Sequence, residues 1–122
     1  VPPLATAAEI GSYGERVAAV FLRQRGYRIL TRNVTTERGE IDLVCRDGHV
    51  LAFVEVRSRS GDQFGRPAES LDERKEQAMR NAAQDYLDLL KRDDITHRFD
   101  AVEVRLKVGE VPSCTLLKNI FG

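Results

Sequence analysis

The sequence predicts an α/β domain in which a mixed sheet is flanked by helices, in the order α, β, β, β, α, β with one further short strand. Three observations carry that expectation: two stretches with apolar residues at helical spacing, several runs that are β-branched or alternate in polarity, and an Asp47-Gly48 pair between two of those runs. The 122 residues suit a single compact domain, 1–122, that buries its core without disulfide or metal staples. Residues 1–6 are expected to be flexible, and the Gly-, Ser- and Pro-rich stretch 58–70 to form a mobile loop.

Helix one, from Ala7 to Arg25, follows from Ile10, Gly14, Val17, Ala18, Phe21 and Leu22, with Gly26 as its stop. Tyr27 to Thr35, YRILTRNVT, is rich in aromatic and β-branched residues and reads as a strand. Ile41 to Arg46 and His49 to Ser58 are the next two, with Asp47-Gly48 as the central pair of a type I′ hairpin turn. Ser70-Leu71-Asp72-Glu73 has the form of a capping box. Helix two therefore starts there and carries an apolar stripe through Ala78, Met79, Ala82, Ala83, Tyr86, Leu87 and Leu90 to about Lys91. RFDAVEVRLKV, Arg98 to Val108, alternates as a strand, and CTLLKNIF is the candidate for the last short one.

A hydrophobic share of 42% with 31% charged residues is ordinary for a globular protein and argues against disorder. No apolar run approaches the roughly 20 residues that cross a bilayer, and the amino end lacks the basic-then-apolar form of a signal peptide. A cytoplasmic protein with no membrane contact is expected. Cys45 and Cys114, with His49 and His97, offer no C-x-x-C pair and no zinc spacing. Cys45, in a valine- and leucine-rich strand, reads as a small buried hydrophobe, with a disulfide as the alternative. The net charge is zero, yet from Arg16 to Arg59 nine arginines stand against five acids. Of the 19 basic residues 15 are Arg, whose fork suits phosphate or carboxylate. A polyanionic partner fits this bias, and so does a solvated surface of ion pairs.

GEIDLVCRDGHVLAFVEVRSRS, residues 39–60, places Glu40, Asp42 and Glu55 among apolar neighbours. With Asp47-Gly48 as a two-residue turn, Glu40 lies opposite Glu55, Asp42 lies diagonal to Glu55, and Arg57 follows on the same face. Ile41, Leu43, Cys45, Val54 and Val56 then point to the core. Like charges across a sheet repel, so something positive is required. Two readings meet that need. In one, Arg38, Arg57 or Arg59 neutralises the acids as an ion-pair network. In the other, Asp42 and Glu55 hold Mg²⁺, which takes oxygen ligands, keeps several waters and suits hydrolysis of a phosphodiester. Glu15, at the border of helix one's apolar face, either looks into the same site or stands as an exposed acid favourable to the helix dipole. Lys75, continuing the stripe of helix two, either meets phosphate or snorkels over apolar surface.

Asp42, then Glu55-Val56-Arg57 after a hairpin, in this element order, resembles the PD-(D/E)XK nuclease core, in which an Asp and a Glu-x-Lys bind Mg²⁺. More closely, the chain is similar to the uncharacterised bacterial YraN-type proteins, relatives of archaeal Holliday junction resolvases. The likeness runs from about residue 9 onward, through Gly14-Glu15, Gly26-Tyr27-Arg28-Ile29-Leu30, Gly39-Glu40-Ile41-Asp42-Leu43, Phe53-Val54-Glu55-Val56, Arg59, Lys75 and Arg98-Phe99-Asp100. It implies a restriction-endonuclease-like core with Glu15, Asp42 and Glu55 as acidic catalytic and metal positions and Mg²⁺ or Mn²⁺ as cofactor. It also implies branched or single-stranded DNA as substrate and, by analogy with the resolvases, a homodimer. The family pattern has a lysine where this chain has Arg57, which keeps the charge but has too high a pKa to trade protons. Arg59 and Arg66, in the 58–70 stretch, and Lys75 are the expected nucleic-acid contacts.

An Mg²⁺-dependent endonuclease acting on structured DNA is thus the expected activity. A non-catalytic nucleic-acid or protein-binding module on the same fold is the alternative that Arg57 favours. A glycosidase on paired carboxylates fits least, because a short chain without Trp leaves little for a sugar cleft.

Overall fold

The computed structural model describes residues 6–60, 72–92 and 94–122. Helix α1 (Ala7–Gln24) opens on a capping box that satisfies two orphan amides at once: Glu9 N donates to Thr6 Oγ1 and Thr6 N to Glu9 Oε1, each at 3.1 Å. Strands β1 (Arg28–Thr36), β2 (Gly39–Asp47) and β3 (Val50–Ser60) then form an antiparallel meander. Helix α2 (Glu73–Leu90) carries the chain back so that β4 (His97–Leu106) lies parallel to β3, and β5 (Ser113–Leu117) closes antiparallel to β4. The spatial order of strands is the chain order, β1-β2-β3-β4-β5.

A helix lies on each face of this sheet. Ala18 and Leu22 of α1 pack with Leu43, Cys45, Ala52, Val54, Val102 and Val104, whereas Met79, Ala82, Ala83 and Leu87 of α2 pack with Ile41, Val44, Leu51, Phe53 and Phe99. Central strands buried on both sides lose their polar alternation, which is why Leu51 to Val54 reads as an unbroken apolar run. Each such side chain taken fully out of water contributes about 1.5–3 kcal/mol. Both helices approach the sheet at glycines. A Cβ on Gly14 would collide with the Ser58 side chain, and one on Gly39 with the backbone carbonyl of Ala78 in α2.

The expected element order holds, and three local expectations are corrected. The hairpin turn is Gly48-His49, with Asp47 paired to Val50; Gly48 takes φ +63°, the left-handed value that a type II′ turn places at its first central residue. The β2/β3 register is therefore offset by two residues from that expected: Leu43 faces Val54 and Val44 faces Phe53. An offset of two keeps every β3 side chain on its expected face. The stretch 58–60 continues β3 instead of opening a loop, while 61–70, with Phe64 and Arg66, falls outside the described residues. Helix α2 starts after Asp72, whose carboxylate accepts from Lys75 N at 2.9 Å, so the N-cap is Asp72; Ser70 lies outside the described residues.

Ile41 is a further departure. It belongs to the α2-side core although Leu43 and Cys45 on the same strand belong to the α1 side. On β1, Asn33 adopts φ +52°, and Val34 beyond it joins Ile41's side while Ile29 packs on the other. Arg32 pairs with Leu43 and Val34 with Ile41, so Asn33 and Asp42 lie between the same two rungs. Both strands exchange faces there. Asn is among the few side chains that tolerate the left-handed region, which makes it the residue able to host the switch.

At the opposite, hairpin end a buried polar cluster ties four elements together. Asp100, with no exposure, accepts from Tyr27 Oη (2.9 Å), Arg98 Nε (2.9 Å) and Asn119 N (3.0 Å). Arg98 also donates to Tyr27 Oη (2.7 Å) and Asp47 Oδ2 (2.6 Å). The two cysteines are free; Cys45 is wholly buried in β2, as expected of a small hydrophobe. Among the described residues no helix is long and apolar enough to cross a membrane.

Gly39→Ala is expected to cost about 1–3 kcal/mol, because the new methyl meets helix backbone that cannot rotate aside. Gly14→Ala costs less: the Ser58 hydroxyl can turn away, leaving Ser58 Cβ at 2.9 Å as the contact that must give, whereas Gly39→Ala meets only helix backbone. Thermal unfolding of the two variants against the parent checks the order.

Candidate active site

The face switch sets the site. Beyond the Leu43 and Val54 rung, the Asp42 carboxylate takes the place of a backbone acceptor: its Oδ2 accepts from Val56 N of β3 at 2.8 Å. That bond draws the Asp42 carboxyl into hydrogen-bonding reach of the Glu55 carboxyl. Glu55 is 7% exposed and lies on the α2 side of β3, in step with Phe53. Its partner from α2 is Lys75, Nζ to Oε2 at 2.9 Å. Lys75 occupies the first turn of α2, so the helix that buries Met79 also delivers this ammonium to the sheet.

Burial is the largest influence on Asp42 and on Lys75. It pushes the Asp42 carboxyl far above the usual carboxylate range, aided by the hydrogen bond and charge of Glu55, with the Val56 amide opposing and the charge of Glu15 adding to the rise. Burial pulls the Lys75 ammonium down, but the hydrogen bond to Glu55 and the charges of Glu55, Asp42 and Glu40 outweigh it, leaving Lys75 raised and firmly protonated. Glu15 is raised by burial, against the charge of Arg32 and with those of Glu40 and Glu55. Arg57 is lowered by burial and by neighbouring Arg59, while Glu55 and Glu103 pull the other way. Among the described residues its buried Nε has no acceptor. Buried donors are rarely left so, and one beside two carboxylates invites an oxyanion.

The expected residues are thus only partly gathered. Asp42, Glu55 and Lys75 come together, and Arg57 stands two residues along β3 from Glu55. Glu15 acts on them through its charge, and among the described residues no third Asp, Glu, His or Cys joins Asp42 and Glu55 as a set of three. Glu40 does not face Glu55. It is exposed, and the face switch turns it to the α1 side, where its charge acts on Glu15. Arg38, expected as a counter-ion, is engaged elsewhere: it pairs with Asp85 of α2 at 2.6 Å. Arg59 lies farther along β3 and Arg66 falls outside the described residues.

A profile of the family described as Uncharacterised protein family UPF0102 matches residues 14–104, a span holding Glu15, Asp42, Glu55, Arg57 and Lys75. The chain belongs to this family. The UPF0102 chain is 42% identical over 112 residues to a UPF0102 protein of Symbiobacterium thermophilum, covering 92% of this chain and 95% of that one. It is 37% identical over 114 residues to a UPF0102 protein of Caldicellulosiruptor saccharolyticus, covering 93% and 97%. It is 46% identical over 101 residues to one of Anaeromyxobacter dehalogenans, covering 83% and 75%. The YraN-type kinship expected of the sequence is this family.

The UPF0102 site holds an acid that keeps its proton in the fold, which makes stability depend on pH. Between about pH 4, where an unfolded Asp titrates, and about 8, the folded protein binds a proton that the unfolded chain gives up, so this group's contribution falls as pH rises. Asp42→Asn keeps an acceptor for Val56 N and removes the titration. Its thermal midpoint should exceed the parent's by roughly 3 °C or more at pH 8 and by less at pH 5; calorimetric scans at the two pH values provide the comparison.

Proposed function

We propose that this protein is a divalent-metal-dependent phosphodiesterase of the PD-(D/E)XK nuclease type, acting as an endonuclease on structured or branched DNA. The observation that carries the reading is the buried Glu55 carboxylate with Lys75 Nζ 2.9 Å from its Oε2, flanked by the Asp42 carboxylate that Val56 N holds at 2.8 Å, while Arg57, two residues along β3, has a buried Nε without an acceptor among the described residues. Two carboxyls crowded together inside a fold raise its free energy, and such strain is tolerated where it serves chemistry. The five-stranded mixed sheet between helices, with the acids on adjacent strands after a hairpin, supports the superfamily placement.

The donor set fits a hard dication in kind. Both groups are oxygen donors, their mutual repulsion is what a 2+ charge relieves, and two carboxylates leave room for water and a substrate phosphate, the habit of Mg²⁺ or Mn²⁺. Asp42 and Glu55 would hold the ion, with Glu15 adding negative potential from α1. Once bound, such an ion supplies a hydroxide-forming water and offsets charge on the phosphate. The chain's own groups do the rest. Lys75, kept protonated by Glu55, is placed to hold a phosphoryl oxygen, and Arg57 Nε can donate to another. Asp42 gives up its proton when the site is loaded. The lysine expected two residues after Glu55 is supplied here from α2. That arrangement answers the departure at Arg57, an always-charged group that binds phosphate well and transfers protons poorly.

A second reading, a binding module that keeps the fold without the reaction, rests on Arg57 itself. Labelled four-way, flapped, single-stranded and duplex DNA incubated with Mg²⁺ or Mn²⁺ separates the two. The parent should cut and Asp42→Asn should lose at least about 100-fold in rate, as losing a site's charge partner commonly does. Lys75→Met should fall by a similar order. Cutting unaffected by Asp42→Asn would defeat the assignment, and an inert parent that gains cutting on Arg57→Lys would establish the second reading.

Loading the site expels the Asp42 proton, so Mn²⁺ affinity should climb about tenfold per pH unit between pH 6 and 7.5 and level off above about 8. Titration calorimetry across that range, with Asp42→Asn showing no heat, is the check.

A further inference from the structure

Lys75 stands toward the acidic pair as a cation already in place. Its Nζ lies 2.9 Å from Glu55 Oε2, and the carboxylate it holds is one the proposed reaction needs for a dication. The ammonium is the more open partner, its side chain 31% exposed against 9% for that of Glu55. Its surroundings are pinned. Lys75 N donates to Asp72 Oδ1 at 2.9 Å at the start of α2, the helix backbone sits at Ala78 against Gly39, and Asp42 accepts from Val56 N at 2.8 Å. What can move is the four-carbon stem of the lysine, which carries Nζ several ångströms towards solvent by rotamer changes alone.

Two cations cannot share Glu55 freely. A hard dication takes a carboxylate oxygen at about 2.1 Å, closer than Nζ sits, and whichever oxygen it takes leaves the ammonium within roughly 6 Å, where like charges in a half-buried site repel. The ammonium must then find another partner. A count of charges says which: two carboxylates cancel a dication, and Lys75 is left as a single positive charge over groups withdrawn from water. One negative charge completes the count, and a phosphodiester carries one. We propose that Lys75 is a two-position group, paired with Glu55 until a dication takes that carboxylate and then swung onto the phosphodiester, so that metal and substrate each strengthen the binding of the other. The proposal rests on the phosphodiesterase reading for the dication and the diester. It makes Lys75 the group that couples them, a role beyond holding a phosphoryl oxygen. By linkage, the factor by which the diester raises metal affinity is the factor by which the metal raises diester affinity. A dication alone is therefore held weakly, and the site assembles on its substrate.

Titration calorimetry of the full chain with Mn²⁺, in the presence and absence of excess dimethyl phosphate at matched ionic strength, tests the coupling. Dimethyl phosphate is a monoanionic diester that resists hydrolysis, so binding is read with nothing cut. Lys75→Met and the polar Lys75→Gln should each bind Mn²⁺ alone at least about tenfold more tightly than the parent, inside the roughly 5–150-fold span of typical couplings. A change that merely loosened the fold would lower the affinity instead. Dimethyl phosphate should raise the parent's Mn²⁺ affinity about fivefold or more and leave both variants within about twofold. Mn²⁺ affinity in both variants equal to or below the parent's overturns the proposal, as does a diester response that is absent from the parent or equal in parent and variants. If the parent nonetheless cuts DNA, the nuclease reading survives without the two-position lysine. Tighter Mn²⁺ binding by the variants and a diester response confined to a parent that never cuts DNA would retire the nuclease reading and keep the coupling. Binding of Mn²⁺ by none of the three proteins overturns both.

Discussion

At Asn33 and Asp42 two adjacent strands exchange faces, and the acidic end of the molecule is organised around that exchange. A strand that turns over cannot keep its regular ladder, so the amide of Val56 on β3 needs another acceptor, and the Asp42 carboxylate is the group at hand. The price is proximity to Glu55. A buried pair of carboxyls cannot both ionise freely, and the fold answers with a retained proton on Asp42 and an ammonium from α2. One backbone irregularity thus leads, through one hydrogen bond, to an acid with an altered pKa and a lysine held over it.

Among the described residues there are two buried polar clusters, one around Asp100 and one around Glu55, and they differ. At the hairpin end the Asp100 carboxylate is surrounded by donors from Tyr27, Arg98 and the Asn119 amide, and Arg98 is shared onward with Asp47. Such a closed network fixes the relative placement of the strands and the segment after α1. At the other end Asp42 and Glu55 crowd each other, and among the described residues Arg57 Nε has no acceptor. A satisfied network is a fastening, whereas an unsatisfied one has capacity left for something that brings charge.

Much of this was legible in the sequence. The periods of α1 and α2, the β-branched runs and the near-continuous apolar stretch of β3 give the element order. The stripe through Ala78 and Met79 leaves Lys75 either to meet phosphate or to snorkel, and in the fold its Nζ pairs with Glu55. What failed was local. Asp-Gly and Gly-His are both competent hairpin centres, and a turn centred on the first shifts the register by two and sets Glu40 opposite Glu55. Strict alternation then hid the face switch, although an Asn between Arg32 and Val34 was the one available signal of a left-handed residue. The Tyr27, Arg98 and Asp100 network is not legible in the sequence, because polar residues at every second strand position look like a solvated face until Tyr27 and the Asn119 segment that bond them are placed.

Gly39 has no side chain, yet it governs a contact between two that are charged. Its bare Cα lets the backbone of α2 settle at Ala78, a single helical turn from Lys75, so the clearance at one sheet residue fixes the height of an ammonium above a carboxylate. A few tenths of an ångström gained there would be passed along a rigid helix to Lys75 Nζ. The alignment of the charge therefore inherits its tolerance from a packing contact, and the roster of positions that matter to the chemistry includes one with no side chain at all.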